Sequence, residues 1–420
     1  MNSRHCISSK WTHGNGLYAG HNTNSVVSML DLVINLFLMQ KSLIYGIFGS
    51  LLFGGILWFM ITISGGNSYF SFSENTINTN SDITQKLYVA NEWDSSVSVI
   101  DTNTNKLIKS ISLSRQYYGK YLQYMAHNVQ VWPWGTIIAV TANIFEKEEG
   151  WVEMGMHAVN SDELILIDPL TDTIVSRIEI EVESHLAHVI IDKMDTTAYI
   201  ASQEKWIIDI VDLKNKKILK KVTLPLWSQP HGMRLSVDGK QLFIAMIGEK
   251  AIWILNIEDS KLELIPTGYK TMQVAASPDG QFVFASLFDT KSIGKYDLAT
   301  KKLMNISLPD WAQWAIQIYP TPDSKFLYIA DQGFYFDQPT STQIYKMDIT
   351  TGKIIKSYTG GQAPHGIVVS PDGKFVYISN LLSNNITVID TIKDSVISRI
   401  DGWIKPNGVS IWTKWIWGTP

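Results

Sequence analysis

Cysteine is almost absent from this chain. The single Cys6 precedes the first hydrophobic segment, so no residue from 7 onward can form a disulfide or a thiolate metal site. Zinc ribbons and iron–sulfur clusters are thereby removed. There is no CxxCH motif, which excludes covalently bound haem, and no nucleophile elbow, P-loop, dinucleotide fingerprint or HExxH. An excess of positive charge is also missing. Thirty-five Lys and Arg stand against 39 Asp and Glu, giving a formal charge of −4. Without a basic patch to neutralise phosphates, no nucleic acid partner is expected. What is present is 420 residues, 45% of them hydrophobic, enough for one large core or two ordinary ones.

Charge is missing altogether from Leu43 to Ile63, LIYGIFGSLLFGGILWFMITI. As a helix these residues would extend about 32 Å, enough to cross a hydrocarbon core of about 30 Å. Arg4, Lys10 and Lys41 precede the segment and no Lys or Arg follows until Lys86. This asymmetry predicts a cytoplasmic segment at 1–42, a transmembrane anchor at 43–63 and the remaining chain outside the cell membrane. The earlier run VVSMLDLVINLFLM holds Asp31 and is too short to span. A start at Met39 would make MQKS the n-region of a signal segment, with residues 1–38 untranslated and the protein secreted, and that alternative stays open. No alanine lies between Ala19 and Ala90 to supply an AxA-like cleavage site, so a retained single-pass anchor is the preferred reading. Residues 64–85, rich in Ser and Asn, read as a flexible tether.

From Lys86 onward one sentence is repeated. Its clearest copy, APHGIVVSPDGKFVYISNLLSNNITVIDTIKDSVISRI, holds four short β-prone runs separated by turn residues. The residues that end each third run are Asp101, Asp168, Asp212, Asn256, Asp297, Asp348 and Asp390, at gaps of 67, 44, 44, 41, 51 and 42. A period in the low forties with four strands per unit predicts propeller blades, and seven anchors predict seven of them over residues 86–420. The long gaps are insertions of roughly 25 and 8 residues. The first unit starts at its second strand (KLYVAN) and the chain ends on an orphan first strand (NGVSIW), so the two pieces should complete one blade and close the ring. The expected fold is all-β, with one N-terminal transmembrane helix.

The segments LYVANEWDSSVSVIDTNTNKLI and APHGIVVSPDGKFVYISNLLSNNITVIDT resemble the YVTN family of β-propeller repeats. The resemblance covers about 86–412 and weakens where the PDG turn reads WPWG, KMDT or TPDS. It implies a seven-bladed propeller on an exported or surface-associated protein. It implies no single chemistry, since the group includes surface-layer proteins, lactonase-like enzymes and subunits with haem or quinone partners.

Most of the repeated polar residues are turn chemistry. Pro, Asp and Gly of the SPDG turns supply a fixed φ, an Asx bond and a positive φ, and the Asp after each third strand can cap its hairpin. The first strand differs, because in a propeller it lines the channel. Seven residues before the first-turn Asp stand His188, His231, Met272 and His365, with His127 and Asn407 at the same offset in the second and closing blades and Ala315 or Ile316 in the sixth. Three readings compete. His127, His188, His231 and His365 could hold a transition metal such as copper or zinc, or an axial haem position. One of them could be a general base. Alternatively, His in a PHG entry bonds to the next blade's backbone.

Two inserts, at 143–163 and 331–343, join second to third strands and should share the face on which the histidines open. The connection 114–126 adds Tyr117, Tyr118, Tyr121 and Tyr124 to that face, and other inter-blade loops add Trp227, Trp311, Trp314 and Trp403. Tyr117, Tyr118 and the four tryptophans form a candidate ligand-binding rim, with packing between blades as the competing role. MGMH (Met154 to His157) would suit copper. Two functions are expected from this reading. One is a membrane-tethered extracytoplasmic propeller binding a protein, glycan or small ligand on its insert-bearing face. The other is a redox or hydrolytic enzyme whose metal or cofactor sits on the histidines.

Overall fold

The computed structural model describes residues 84–117, 120–132, 135–145, 161–402 and 405–414. The expected anchor and residues 64–83 of the expected tether lie outside the described residues, as do MGMH, Tyr118 and Trp403, while Gln85, placed at the end of the tether, instead begins the first strand. Among the described residues no helix is long and apolar enough to cross a membrane.

Among the described residues seven four-stranded antiparallel sheets make up the blades, six of them built from consecutive strands. The seventh closes the ring as expected, its strand Gln85–Asn91 pairing on one side with Ser96–Asp101 and on the other with the C-terminal strand Pro406–Thr413. Leu87 faces Ile411 across that seam. The second and third strands of each blade are Val/Ile-rich runs buried on both faces, as in FVYISN and NITVID of the last blade, because neighbouring blades cover both sides. The outermost strands alternate between exposed and covered positions, as in KILKKVT. The 114–126 connection folds into a small hairpin, Arg115–Tyr117 with Lys120–Leu122. Tyr124 does not join the rim but is fully buried at the start of the next innermost strand, donating to Glu163 at 2.9 Å.

The turn aspartates behave as their spacing predicts. Asp101, Asp168, Asp297 and Asp390 each accept the N–H two residues on, at 2.7–3.0 Å. At the next turn position two blades carry an aspartate that reaches across to the preceding blade. Asp172 accepts from Lys86 and Tyr88, and Asp394 from Lys346, Lys356 and Tyr358, the last at 2.5 Å. Burial alone would raise the Asp394 carboxyl, but hydrogen bonds from Lys356, Tyr358 and Lys346 outweigh it and hold the group well below the carboxylate range. A depressed folded pKa stabilises above the unfolded value of about 3.9, and that stability is lost as pH falls through the folded pKa. Asp394→Asn should therefore cost about 1 kcal/mol at pH 7, after screening at a partly exposed site. The difference from wild type should shrink in urea titrations below about pH 4.

One glycine has a specific packing reason. A Cβ on Gly366, which follows His365, would lie 2.2 Å from the carbonyl oxygen of Asn407 in the next blade. Backbone cannot retreat as a side chain can, so Gly366→Ala should destabilise by roughly 1–3 kcal/mol, measurable as a lower urea midpoint.

Candidate metal centre

Each innermost strand carries one extra residue relative to its neighbour, and the extra residue falls at the histidine position. In the second blade Ala126 faces Ala142 and Asn128 faces Thr141, which leaves His127 bulged. The same shift occurs between Leu186 and Val189, Pro230 and Met233, Thr271 and Gln273, Ala315 and Gln317, and Pro364 and Ile367. A bulge re-aims the side chain it carries, here into the channel mouth. In the sixth blade the bulged residue is Ile316, which settles the choice between Ala315 and Ile316. Read around the ring, the bulge positions are His127, His188, His231, Met272, Ile316, His365 and Asn407.

Three of these converge. His127, His188 and His231 are all buried, and one ring nitrogen from each lies within 4.8 Å of those of the other two. Their ring centroids are 4.9–6.2 Å apart. Tetrahedral zinc with Zn–N bonds of about 2.0–2.1 Å needs nitrogens roughly 3.3 Å apart, so ring rotations that close the group by about 1–1.5 Å would complete it. His365 was grouped with them from its offset but does not belong to this set. It stacks edge-on against Tyr335 at 5.5 Å, with neither ring nitrogen hydrogen-bonded.

The environment keeps His188, His231 and His365 neutral. Burial, reinforced by the other histidines, pushes His188 and His231 well below their ordinary pKa, and burial brings His365 to about 3 despite the opposing pull of Glu92. Neutral imidazole is the metal-binding form. His231 Nδ1 lies 3.0 Å from the carbonyl oxygen of Met272 in the next blade, so Nδ1–H donates there and Nε2 keeps its lone pair. The backbone bond expected for a PHG histidine is thus made by His231. His127 Nε2 and His188 Nδ1 have no hydrogen-bond partner, and Gln317 reaches His188 Nε2 only at 3.4 Å. Buried polar atoms without partners are uncommon enough to call for an explanation such as an ion.

Behind His127 stands Glu92, whose Oε1 is 3.8 Å from Nδ1. Its other oxygen accepts from Tyr335 at 3.0 Å and Asn407 at 3.1 Å. Burial would raise this carboxyl, but its interactions with His127, helped by a hydrogen bond from Asn407, bring it down to about 2. A carboxylate behind a histidine is the usual support for a metal ligand, because it fixes the tautomer and the ring. Tyr335 comes from the 331–343 insert, whose turn Phe334–Phe336 carries it from the sixth blade to the first. Glu92 went unnoticed in the sequence, although a signal exists. The residues that follow the second strands are Glu92, Phe145, Gln203, Ile247, Phe288, Gln332 and Leu381, and Glu92 is the one acid among them.

The expected aromatic rim divides. Trp227 and Trp311 are about two-thirds exposed, at 67% and 65%, with Trp227 leaning on Trp206 at 4.9 Å between centroids. Trp314 packs on Phe336 at 5.6 Å, in a cluster that also holds Met272, Phe288 and Ile316. Tyr117 is half-buried against the first-blade core under Arg115.

Comparison with known proteins supports the architecture. The family described as "Lactonase, 7-bladed beta-propeller" matches residues 298–396, a span that includes His365 but not the other three histidines. Antigen Lp49 of Leptospira interrogans serogroup Icterohaemorrhagiae serovar copenhageni is 26% identical over 268 residues, 59% of this chain and 56% of that protein. The chain thus spans little more than half the length of this curated relative. Among solved structures, hydrazine synthase of Kuenenia stuttgartiensis superposes at a TM-score of 0.59 with 17% identity, over 77% of this chain and 99% of that one. A functionally unknown protein from Desulfotomaculum acetoxidans DSM 771 gives 0.60 and 14%, over 78% and 99%. At these identities the likeness is one of fold.

Proposed function

We propose that this seven-bladed propeller is a metal-dependent protein whose zinc or copper ion sits at the channel mouth on His127, His188 and His231, and that its chemistry is metal-assisted hydrolysis. The observation that carries this reading is the convergence of three buried imidazoles on one point, with ring nitrogens of His127 and His188 left unpartnered. Three histidines leave a fourth position for water, as in catalytic rather than structural zinc sites, and zinc lowers the pKa of such a water to about 7. Glu92, held by Tyr335 and Asn407, orients His127. The partial match to a family described as lactonases suits hydrolysis of a small ester or lactone. The proposal keeps the sequence reading of a YVTN-type repeat protein tethered to the cell membrane through residues 43–63, with the propeller outside.

A second reading has its own observation. Trp227 and Trp311 present two exposed indoles on inter-blade loops, which suits docking of a protein, glycan or small ligand without chemistry. Elemental analysis of the full chain after dialysis separates the two. The first predicts one zinc or copper per chain and esterase or lactonase activity that a chelator abolishes. A metal-free protein that does not take up either ion would leave the docking reading alone.

A further inference from the structure

We propose that the channel holds a second site, an anion-binding pocket built on Arg234 one layer below the histidines. Three residues past each bulge stand Gln130, Ile191, Arg234, Ala275, Tyr319, Val368 and Ser410, about 10 Å deeper along the innermost strands. This ring contains one cation and no acid.

Arg234, Gln130, Tyr319 and Ser410 line a narrow internal cavity together with Asn128 and His188. The guanidinium donates to the carbonyl of its neighbour Met233 at 2.9 Å and lies 5.6 Å from the Tyr319 ring centroid. No carboxylate among the described residues pairs with it. The side chain is half-buried, and its uncovered surface faces this cavity. Burial lowers the guanidinium pKa, and nothing acidic offsets the effect. Arginine nonetheless stays charged in proteins, so the molecule carries an uncompensated cation inside its channel.

Among the described residues buried Lys295 also lacks a carboxylate partner but places its charge against the Ile349 carbonyl and the Phe282 ring, and three further covered cations are paired. Lys86, Lys346 and Arg177 each meet an aspartate or glutamate at 2.8–2.9 Å. Arg234 is left with four unused N–H donors, in a cavity whose other polar linings include the side-chain amides of Asn128 and Gln130. That donor set recognises an anion. The cavity is narrow, which favours a small monovalent anion, a halide or a formate-like carboxylate. The cavity shares His188 with the metal group, but its charge comes from Arg234, which is not among the three converging residues.

The test is calorimetric titration of the full chain with sodium bromide and, separately, sodium formate, in chloride-free buffer at fixed ionic strength after chelator treatment. Saturable binding is expected, weakened roughly ten- to a hundredfold by Arg234→Gln and partly restored by Arg234→Lys. Competition between the two salts would show that halide and carboxylate share the site. Crystals of the wild-type protein soaked in bromide give a readout that needs no variant. An anomalous peak beside the Arg234 guanidinium is expected. No peak there, or titrations in which neither salt saturates or Arg234→Gln binds as well as wild type, would overturn the proposal. Because the protein is stripped of metal, its failure is distinguishable from failure of the metal site.

Discussion

Replacing His188 and His231 together by alanine is expected to abolish metal binding while leaving the propeller folded. Each imidazole offers one donor, and a lone remaining His127 cannot hold zinc or copper in a buried site. Removing Glu92, which lies behind a donor, should cost less, roughly 10–100-fold in affinity for Glu92→Gln. His365→Ala should retain full metal content, because His365 points to Tyr335 and not to the group. These variants separate a convergent site from general stickiness of buried histidines. The apo fold should tolerate the double change, since His188 makes only a 3.4 Å contact with Gln317 and His231 one bond to Met272. Equilibrium dialysis against zinc, read with the urea midpoint of each apo variant, gives both numbers.

The largest expected loss of stability lies at the other end of the blade that closes the ring. Lys86 is 2% exposed and its ammonium meets Asp172 at 2.8 Å and the Pro169 carbonyl at 2.9 Å, while Asp172 is fully buried and also accepts from Tyr88 at 2.5 Å. Burial and the Asp172 charge push the Tyr88 phenol far above its ordinary pKa, so it stays a donor. Asp172→Asn keeps the shape and tolerates the left-handed backbone at φ 54°, but leaves a buried ammonium without its counter-ion. Breaking a buried pair in this way costs about 3–5 kcal/mol. The exposed pair Lys301–Glu263, at 3.7 Å, is the control, and its loss should change stability by less than about 1 kcal/mol. Urea unfolding of the two variants checks the contrast.

These two sites differ in how far the sequence announced them. The seven anchors, the turn aspartates and the shared closing blade follow from local signals repeated at a fixed period, and periodicity survives in one dimension. The histidine offset was also legible, because every blade places its bulge at the same distance from its first turn. Which histidines meet was not. Convergence depends on the channel radius and on how the bulge turns each side chain, so His127, His188 and His231 close on one another while His365 turns to Tyr335. Glu92 is invisible to a pattern drawn on first strands, since it comes from a turn between second and third strands. Trp314 looked like rim but packs inward, because Phe336 from the insert covers it. Tyr124, two residues from Ala126, was assigned to a loop that ends one residue earlier.

Cobalt(II) titration of the purified full chain, followed by visible absorption, tests the metal centre most directly, because d–d bands report ligand number and type. The account predicts saturation at one equivalent, the intense bands of a four-coordinate nitrogen and oxygen site, displacement by zinc, and none of this in His188→Ala plus His231→Ala. A featureless titration, or bands unchanged in that double variant, would contradict it.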